Sequence, residues 1–263
     1  MDFSIKEITT ICVMVAICMV RMAATLAIAP FFSRQFVVGP CRNVVTFALC
    51  MPLFYFILPT IPKGEIQILY MGIIIIKEAV IGIILGFVTS FVFYVAEGVG
   101  FVVDVQRGAS MATIFDPMAG SQTSLMGSFL VQVMSVLFFT MGGITFFLKM
   151  MYSTYQLWPV FSYFPQFDDN FVKFFADMIG QMMTVLFCLA APILIVIFLS
   201  EFGLGLVNRF APQLNVFFLS MPIKSWISMF FLMAYLGLLS NFFIKYFTAE
   251  SKLSEFINLF MKR

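Results

Sequence analysis

IQILYMGIIIIKEAVIGIILGFVTSFVFYVA, residues 66–96, decides the fold. Its only charges are the neighbours Lys77 and Glu78. Ile, Leu, Val and Phe follow one another without the strict apolar–polar alternation of a half-buried strand. Only helices and closed barrels satisfy their backbone polar groups in lipid, and about 20 helical residues cross a hydrocarbon core about 30 Å thick. The stretch therefore predicts a membrane helix. It is too long for one straight crossing, and 97–103 are expected to continue it as a tilted or broken helix.

The rest of the chain has the same character. Of 263 residues, 62% are hydrophobic and 11% charged, with mean hydropathy +1.05. Soluble domains carry roughly a quarter charged residues, so this chain lacks the polar groups to cover a water-facing surface. It reads as one integral membrane domain over 1–263. Candidate spans are 8–30, 43–61, 66–96, 126–150, 181–206 and 224–247. The predicted fold class is all-α, with about six long, kinked hydrophobic helices and an irregular central loop. The opening MDFSIKEITTICVMVAICMV is expected to stay as the first helix, because Asp2 and Glu7 dilute a signal-like positive region.

Breakers mark the connections: Pro30, Gly39 and Pro40 in the first, LPTIPKGE in the second, WPVFSYFPQFDDN in the fourth, and NRFAPQLN followed by Pro222 in the fifth. Pro52 and Pro192 fall inside spans and predict kinks. The tail, 248–263, sets Leu253, Phe256, Ile257 and Phe260 at helical spacing among charges, an amphipathic helix suited to a membrane surface or a partner groove. Lys and Arg do not orient the spans. Lys6, Lys63, Lys173, Lys245, Lys252, Lys262 and Arg263 share one side, against Arg34, Arg42, Arg107, Arg209 and Lys224.

Several function classes fall away. A net charge of +2 is too small to suggest nucleic acid. There is no histidine, which removes the commonest metal ligand and the usual catalytic base. No HExxH or phosphate-cradling Gly loop occurs, and none of Cys12, Cys18, Cys41, Cys50 and Cys188 forms a CxxC pair. No catalytic site, metal or cofactor is expected. Met, abundant here, packs around changing shapes, and Gly82 and Gly86 have the spacing of a helix-packing motif.

Charges inside the apolar spans are the informative residues: Arg21, Lys77, Glu78, Glu97, Lys149 and Glu201. A charge at the centre of a membrane helix costs about 2.5–3.5 kcal/mol on insertion scales, so such groups face protein or a wet cavity. Glu97 and Asp104 are seven apart and share a helical face, with Arg107 placed to pair with Asp104. Glu201 and Asn208 are likewise seven apart, with Arg209 adjacent. Two polar seams run toward two loops. Buried ion pairs that set register, an aqueous conduit or subunit seam, and ion coupling all remain open for them.

VVDVQRGASMATIFDPMAGS, 102–121, interrupts the apolar chain near its middle. DVQRGASMATIFDP, with Gly120 after it, resembles the signature loop of the FliR/SctT family, membrane components of flagellar and virulence type III secretion export gates. LSEFGLGLVNRFAPQLNVFFLSMPIKS, 199–225, resembles the family in its acidic residue, Gly-Leu step, Arg-Phe-Ala-Pro-Gln run, Asn and Lys-Ser. The stretch from Arg34 to Arg42 is similar but less specific. The resemblance covers nearly the whole chain, and Gln106-Arg107-Gly108 is nearer the injectisome branch than the flagellar one.

The resemblance implies a subunit of a protein-conducting gate for unfolded secreted polypeptides in the bacterial inner membrane. It implies SctR-like, SctS-like and SctU-like partners, a position in the secretion basal body partly raised toward the periplasm, and a loop that plugs the closed channel. That loop falls at 104–122 here. Gly108, Ala109, Ser110, Ala112 and Gly120 permit tight backbone paths. Met111, Ile114 and Phe115 supply a hydrophobic stopper of the kind that blocks ions by dewetting. Asp116 before Pro117 favours a turn. Gln106 and Arg107 stand at the loop's start, where Asp104 and Arg107 could hold its base by a charged hydrogen bond. The alternatives are an ion-coupled solute transporter using Glu97, Asp104 and Glu201, for which the chain lacks similar halves, and a purely structural assembly factor.

Overall fold

The computed structural model describes residues 5–32, 39–57, 68–109, 124–162, 169–211, 213 and 215–248. Every regular element among them is helical. In chain order they are α1 (Ile5–Ile28), a 3-10 turn (Pro30–Phe32), α2 (Gly39–Ile57), α3 (Ile68–Arg107), α4 (Leu125–Thr140), α5 (Gly143–Leu157), α6 (Asp169–Phe210) and α7 (Val216–Thr248). The tail beyond 248, the stopper residues Met111, Ile114 and Phe115, and Asp116 lie outside the described residues.

The expected spans reappear as helices with altered bounds: 181–206 widens into α6 and 224–247 into α7. The stretch 66–96 does continue through 97–103, as α3, an unbroken helix of 40 residues. At 1.5 Å per residue it is about 60 Å long, twice a hydrocarbon core. The span 126–150 does not persist as one helix. It breaks into α4 and α5 at Gly142, whose φ of 75° is left-handed backbone that glycine adopts without the Cβ penalty. Among the described residues, α3, α6 and α7 are long and apolar enough to cross a membrane, and α4 with α5 makes a fourth, broken candidate. Six full crossings are therefore more than these helices supply by length and composition. Pro52, Pro192 and Pro222 all lie inside helices, so Pro222 belongs to α7 rather than to a connection.

The chain divides into two compact units. Among the described residues, one comprises those within 1–91 and 142–168; the other comprises those within 92–141 and 169–248. In the first, α1 crosses α3 over Gly82 and Gly86. A Cβ on Gly82 would stand 2.5 Å from the Arg21 carbonyl oxygen and 2.7 Å from Ala24 Cβ, and one on Gly86 would stand 3.0 Å from the Thr25 carbonyl oxygen. The sequence motif is thus a backbone-to-backbone packing site. Thr25 Oγ1 donates across it to the Gly82 carbonyl at 3.0 Å. Ile17, Met22, Leu26, Ile81, Leu85 and Met151 fill the core, and Phe31 meets Phe147 edge-on at 5.5 Å.

In the second unit the end of α3 packs on α4 where Gly100 meets Gly127, α6 pairs with α7, and α4 also touches α7. Phe93 meets Phe138 edge-on, and Leu130, Met134, Ala190, Ile197, Leu232 and Phe243 are buried. Large apolar side chains on α6 and α7 also point outward, among them Phe198, Phe202, Phe217, Trp226 and Phe230. Apolar surface of this extent suits lipid or neighbouring subunits, not water.

Candidate functional site

The two ends of the central interruption are held by one side chain. α3 ends at Arg107, and Gly108 leaves the helix at φ 88° while its N–H donates to the Val105 carbonyl at 3.1 Å. The Ala109 N–H donates to the Asp104 carbonyl at 3.0 Å. On the far side α4 starts at Leu125 with Ser124 as N-cap, whose hydroxyl accepts the Gly127 N–H at 2.8 Å. Ser, Thr, Asp and Asn are favoured there because they satisfy a free N–H of the first turn.

Asp104 joins the two sides. Its Oδ1 lies 2.8 Å from Arg107 Nη2, while its Oδ2 accepts the Ser124 hydroxyl at 2.7 Å and the Met126 N–H at 3.0 Å. The Asp104 side chain is 7% exposed and serves the N-terminus of α4, where negative charge is favoured. Glycines bring the backbones close enough. A Cβ on Gly100 would collide with the Gly127 backbone, and one on Gly127 would stand 2.9 Å from the Glu97 carbonyl oxygen. Charge-assisted hydrogen bonds of this kind are about twice as strong as neutral ones.

The other sequence candidates are placed differently. Of the five residues expected in buried polar seams, only Asp104 is buried in the chain by itself; Glu97, Glu201, Asn208 and Arg209 are exposed. A seven-residue spacing fixes the direction of a side chain but not what packs there. α4 covers the helix at Asp104 and leaves Glu97 open. Glu201 is paired on α7 instead, with Lys224 Nζ 3.1 Å from Oε1 and its own side chain 49% exposed. Gln106, Arg107 and Gly108 are partly exposed, at the mouth of the interruption.

Two features escaped the sequence reasoning. One is Ser124, which the N-cap pattern of Ser before an apolar helix could have revealed. The other is the partnership of the charges in the first unit. Arg21, fully buried, sets Nε 2.7 Å from Glu78 Oε2 and Nη2 2.9 Å from Oε1. Its remaining donors reach the carbonyls of Thr154 and Trp158, each at 2.9 Å, and its guanidinium stacks 4.2 Å from the Tyr155 ring centre. Lys77 lies 3.1 Å from Glu78 Oε1 and donates to the carbonyls of Pro159, Val160 and Ser162. Two cations and one anion thus close on the carbonyl-rich C-terminal end of α5, where positive charge is favoured. Each donor is occupied, so the cluster locks three helices together and offers nothing to a ligand.

Residues 12–249, nearly all of the chain, match the family described as "Bacterial export proteins, family 1". The chain belongs to that family. The export protein is 39% identical over 219 residues to "Yop proteins translocation protein T" of Yersinia pestis, covering 82% of each chain. It is 30% identical over 247 residues to "Surface presentation of antigens protein SpaR" of Shigella flexneri, covering 92% of this chain and 91% of that one. It is 30% identical over 211 residues to "Flagellar biosynthetic protein FliR" of Bacillus subtilis, covering 80% of each. The Yop translocation protein is thus nearer than this flagellar one, as Gln106-Arg107-Gly108 suggested. The export protein is a multi-pass membrane protein and not an enzyme.

Proposed function

We propose that this chain is a subunit of a type III secretion export gate of the injectisome kind in the bacterial inner membrane. It forms part of the passage for unfolded secreted polypeptides, and its central segment, 104–122, closes that passage at rest. SctR-like and SctS-like membrane subunits and an SctU-like switch protein cover the outward apolar faces of α6 and α7, and the tail from 248 onward lies on a membrane surface or in a partner's groove.

The observation that carries this reading is the family match over 12–249, with relatives named for translocation and flagellar biosynthesis. The Asp104 junction supports it, because a stopper between two membrane helices needs both ends fixed. The 60 Å scale of α3 supports a gate standing partly clear of the bilayer, since twice the hydrocarbon thickness need not all lie in lipid.

The test is conductance. Deleting residues 110–123 in the intact secretion apparatus should raise the ion leak of the cell membrane while the complex still assembles. Unchanged leak in assembled complexes would overturn the closing role.

A further inference from the structure

Lys77 and Lys224 are both buried, and they are served differently. The Lys77 ammonium meets three carbonyls and Glu78. Among the described residues, the Lys224 ammonium meets only Glu201 Oε1, at 3.1 Å. An ammonium has three donors, so the others are left over. The helix that carries Glu201 is just as poorly covered. From Glu201 to Phe210 every residue of α6 except Leu204 is exposed. Phe202, Leu206, Val207 and Phe210 stand out from it, and a Cβ on Gly203 or Gly205 would meet nothing within 4 Å. A helix end with this much outward apolar surface is covered by lipid or by protein. Its polar side chains decide between the two. Glu201, Asn208 and Arg209 are exposed within the same ten residues, and charges in apolar spans face protein or a wet cavity. Between 71 and 83 the exposed side chains of α3 are Ile73, Ile75, Ile76 and Ile83, hydrocarbon alone, which is what a lipid-facing surface requires.

We infer that the end of α6, 201–210, together with Lys224, is a docking surface for a membrane helix of a neighbouring subunit, and that this helix brings a carboxylate. Lys224 and Arg209 against Glu201 leave one positive charge uncompensated, and an acid on the incoming helix balances it. Its oxygens take the donors that Glu201 leaves open, as charge-assisted hydrogen bonds. Gly203 and Gly205 let the two backbones approach closely. The inference rests on the gate reading above, and names the surface and the chemistry by which the chain joins its neighbours.

Two measurements test it. In the first, a photo-crosslinking amino acid replaces Phe202 in the otherwise native chain, and the intact apparatus is illuminated in its membrane. The expected product joins this chain to another membrane subunit, at a helix that carries Asp or Glu within two turns of the mapped site. Crosslinks to lipid alone, to a helix without an acid, or to nothing overturn the inference. In the second, Lys224→Met is followed in the purified single chain and in the apparatus. The single chain should melt at the wild-type temperature or above it, because the change removes a buried charge whose partner is half open to solvent. The amount of assembled complex should nevertheless fall several-fold. Wild-type amounts of complex overturn the inference, and so does a single chain that no longer folds stably, which would make Lys224 a prop of the fold alone. If Phe202 captures only lipid while the chain still co-purifies with other membrane subunits, only this inference falls. If the chain co-purifies with none, the gate reading falls with it.

Discussion

Arg21 on α1 and Glu78 on α3, 57 residues apart in sequence, meet through two parallel contacts of 2.7 and 2.9 Å with no exposure to solvent. Removing Glu78 leaves two buried cations, Arg21 and Lys77, with no anion between them, and breaking a buried pair by removing one partner costs about 3–5 kcal/mol. Glu78→Met should therefore lower the melting temperature of the detergent-purified chain sharply and reduce its amount in the membrane. Arg21→Met should cost less, since Lys77 still faces Glu78 at 3.1 Å. Equal melting of the Glu78→Met variant and the wild type would show that the cluster contributes nothing.

The glycines of α3 separate close packing from mere helix composition. A Cβ on Gly82 meets the Arg21 carbonyl oxygen, which is backbone and cannot swing aside, so Gly82→Ala should destabilise. Gly180 on α6 has nothing within 4 Å. There alanine should be neutral or stabilising by about 0.5–1 kcal/mol, the ordinary preference of a helix interior for Ala over Gly. Thermal unfolding of the two variants side by side checks the contrast, and equal shifts in the same direction would contradict it.

Gly142 tests the break between α4 and α5. Its surroundings are open, but its φ is 75°, so the cost of alanine there is backbone strain of about 1–2 kcal/mol and not a collision. Gly142→Ala should lower the melting temperature, while Gly143→Ala, one residue along at an ordinary helical position, should not. The same melting assay reads both.

Glu201 is half open to solvent, but its partner Lys224 is buried, so removing the carboxylate leaves a buried ammonium without its anion. Glu201→Gln should lower the purified chain's melting temperature modestly, because glutamine still offers Lys224 a neutral acceptor. Secretion by cells carrying it should fall further than that loss explains if the exposed stripe of Glu201, Asn208 and Arg209 meets a partner. Normal secretion would assign that stripe to solvent.

The helices were legible because their signal is long. Runs of Ile, Leu, Val and Phe with almost no charge permit little except helix in lipid, and α1, α2, α3, α6 and α7 follow them. The break at Gly142 was not legible, since a Gly-Gly step inside an apolar run packs as readily in a straight helix as it turns a corner. The seams show a similar limit. Helical spacing placed Glu97 and Asp104 on one face, but burial depends on where α4 crosses, and that is set by the Gly100–Gly127 contact. The pairing of Arg21 with Glu78 was implicit in their being lone charges in apolar spans, yet nothing local says which charge finds which. The central segment was identified by its resemblance to a family motif, and its physical counterpart is the Asp104 junction at its ends.

The most direct test of the whole account is to locate residues 106–122 in the intact secretion apparatus at rest, by high-resolution electron microscopy of the assembled complex. The account predicts that they lie across a passage enclosed by this chain and its neighbours, with Met111, Ile114 and Phe115 facing that passage. Finding them on the outer rim, against lipid or bulk water with no passage beside them, would contradict it.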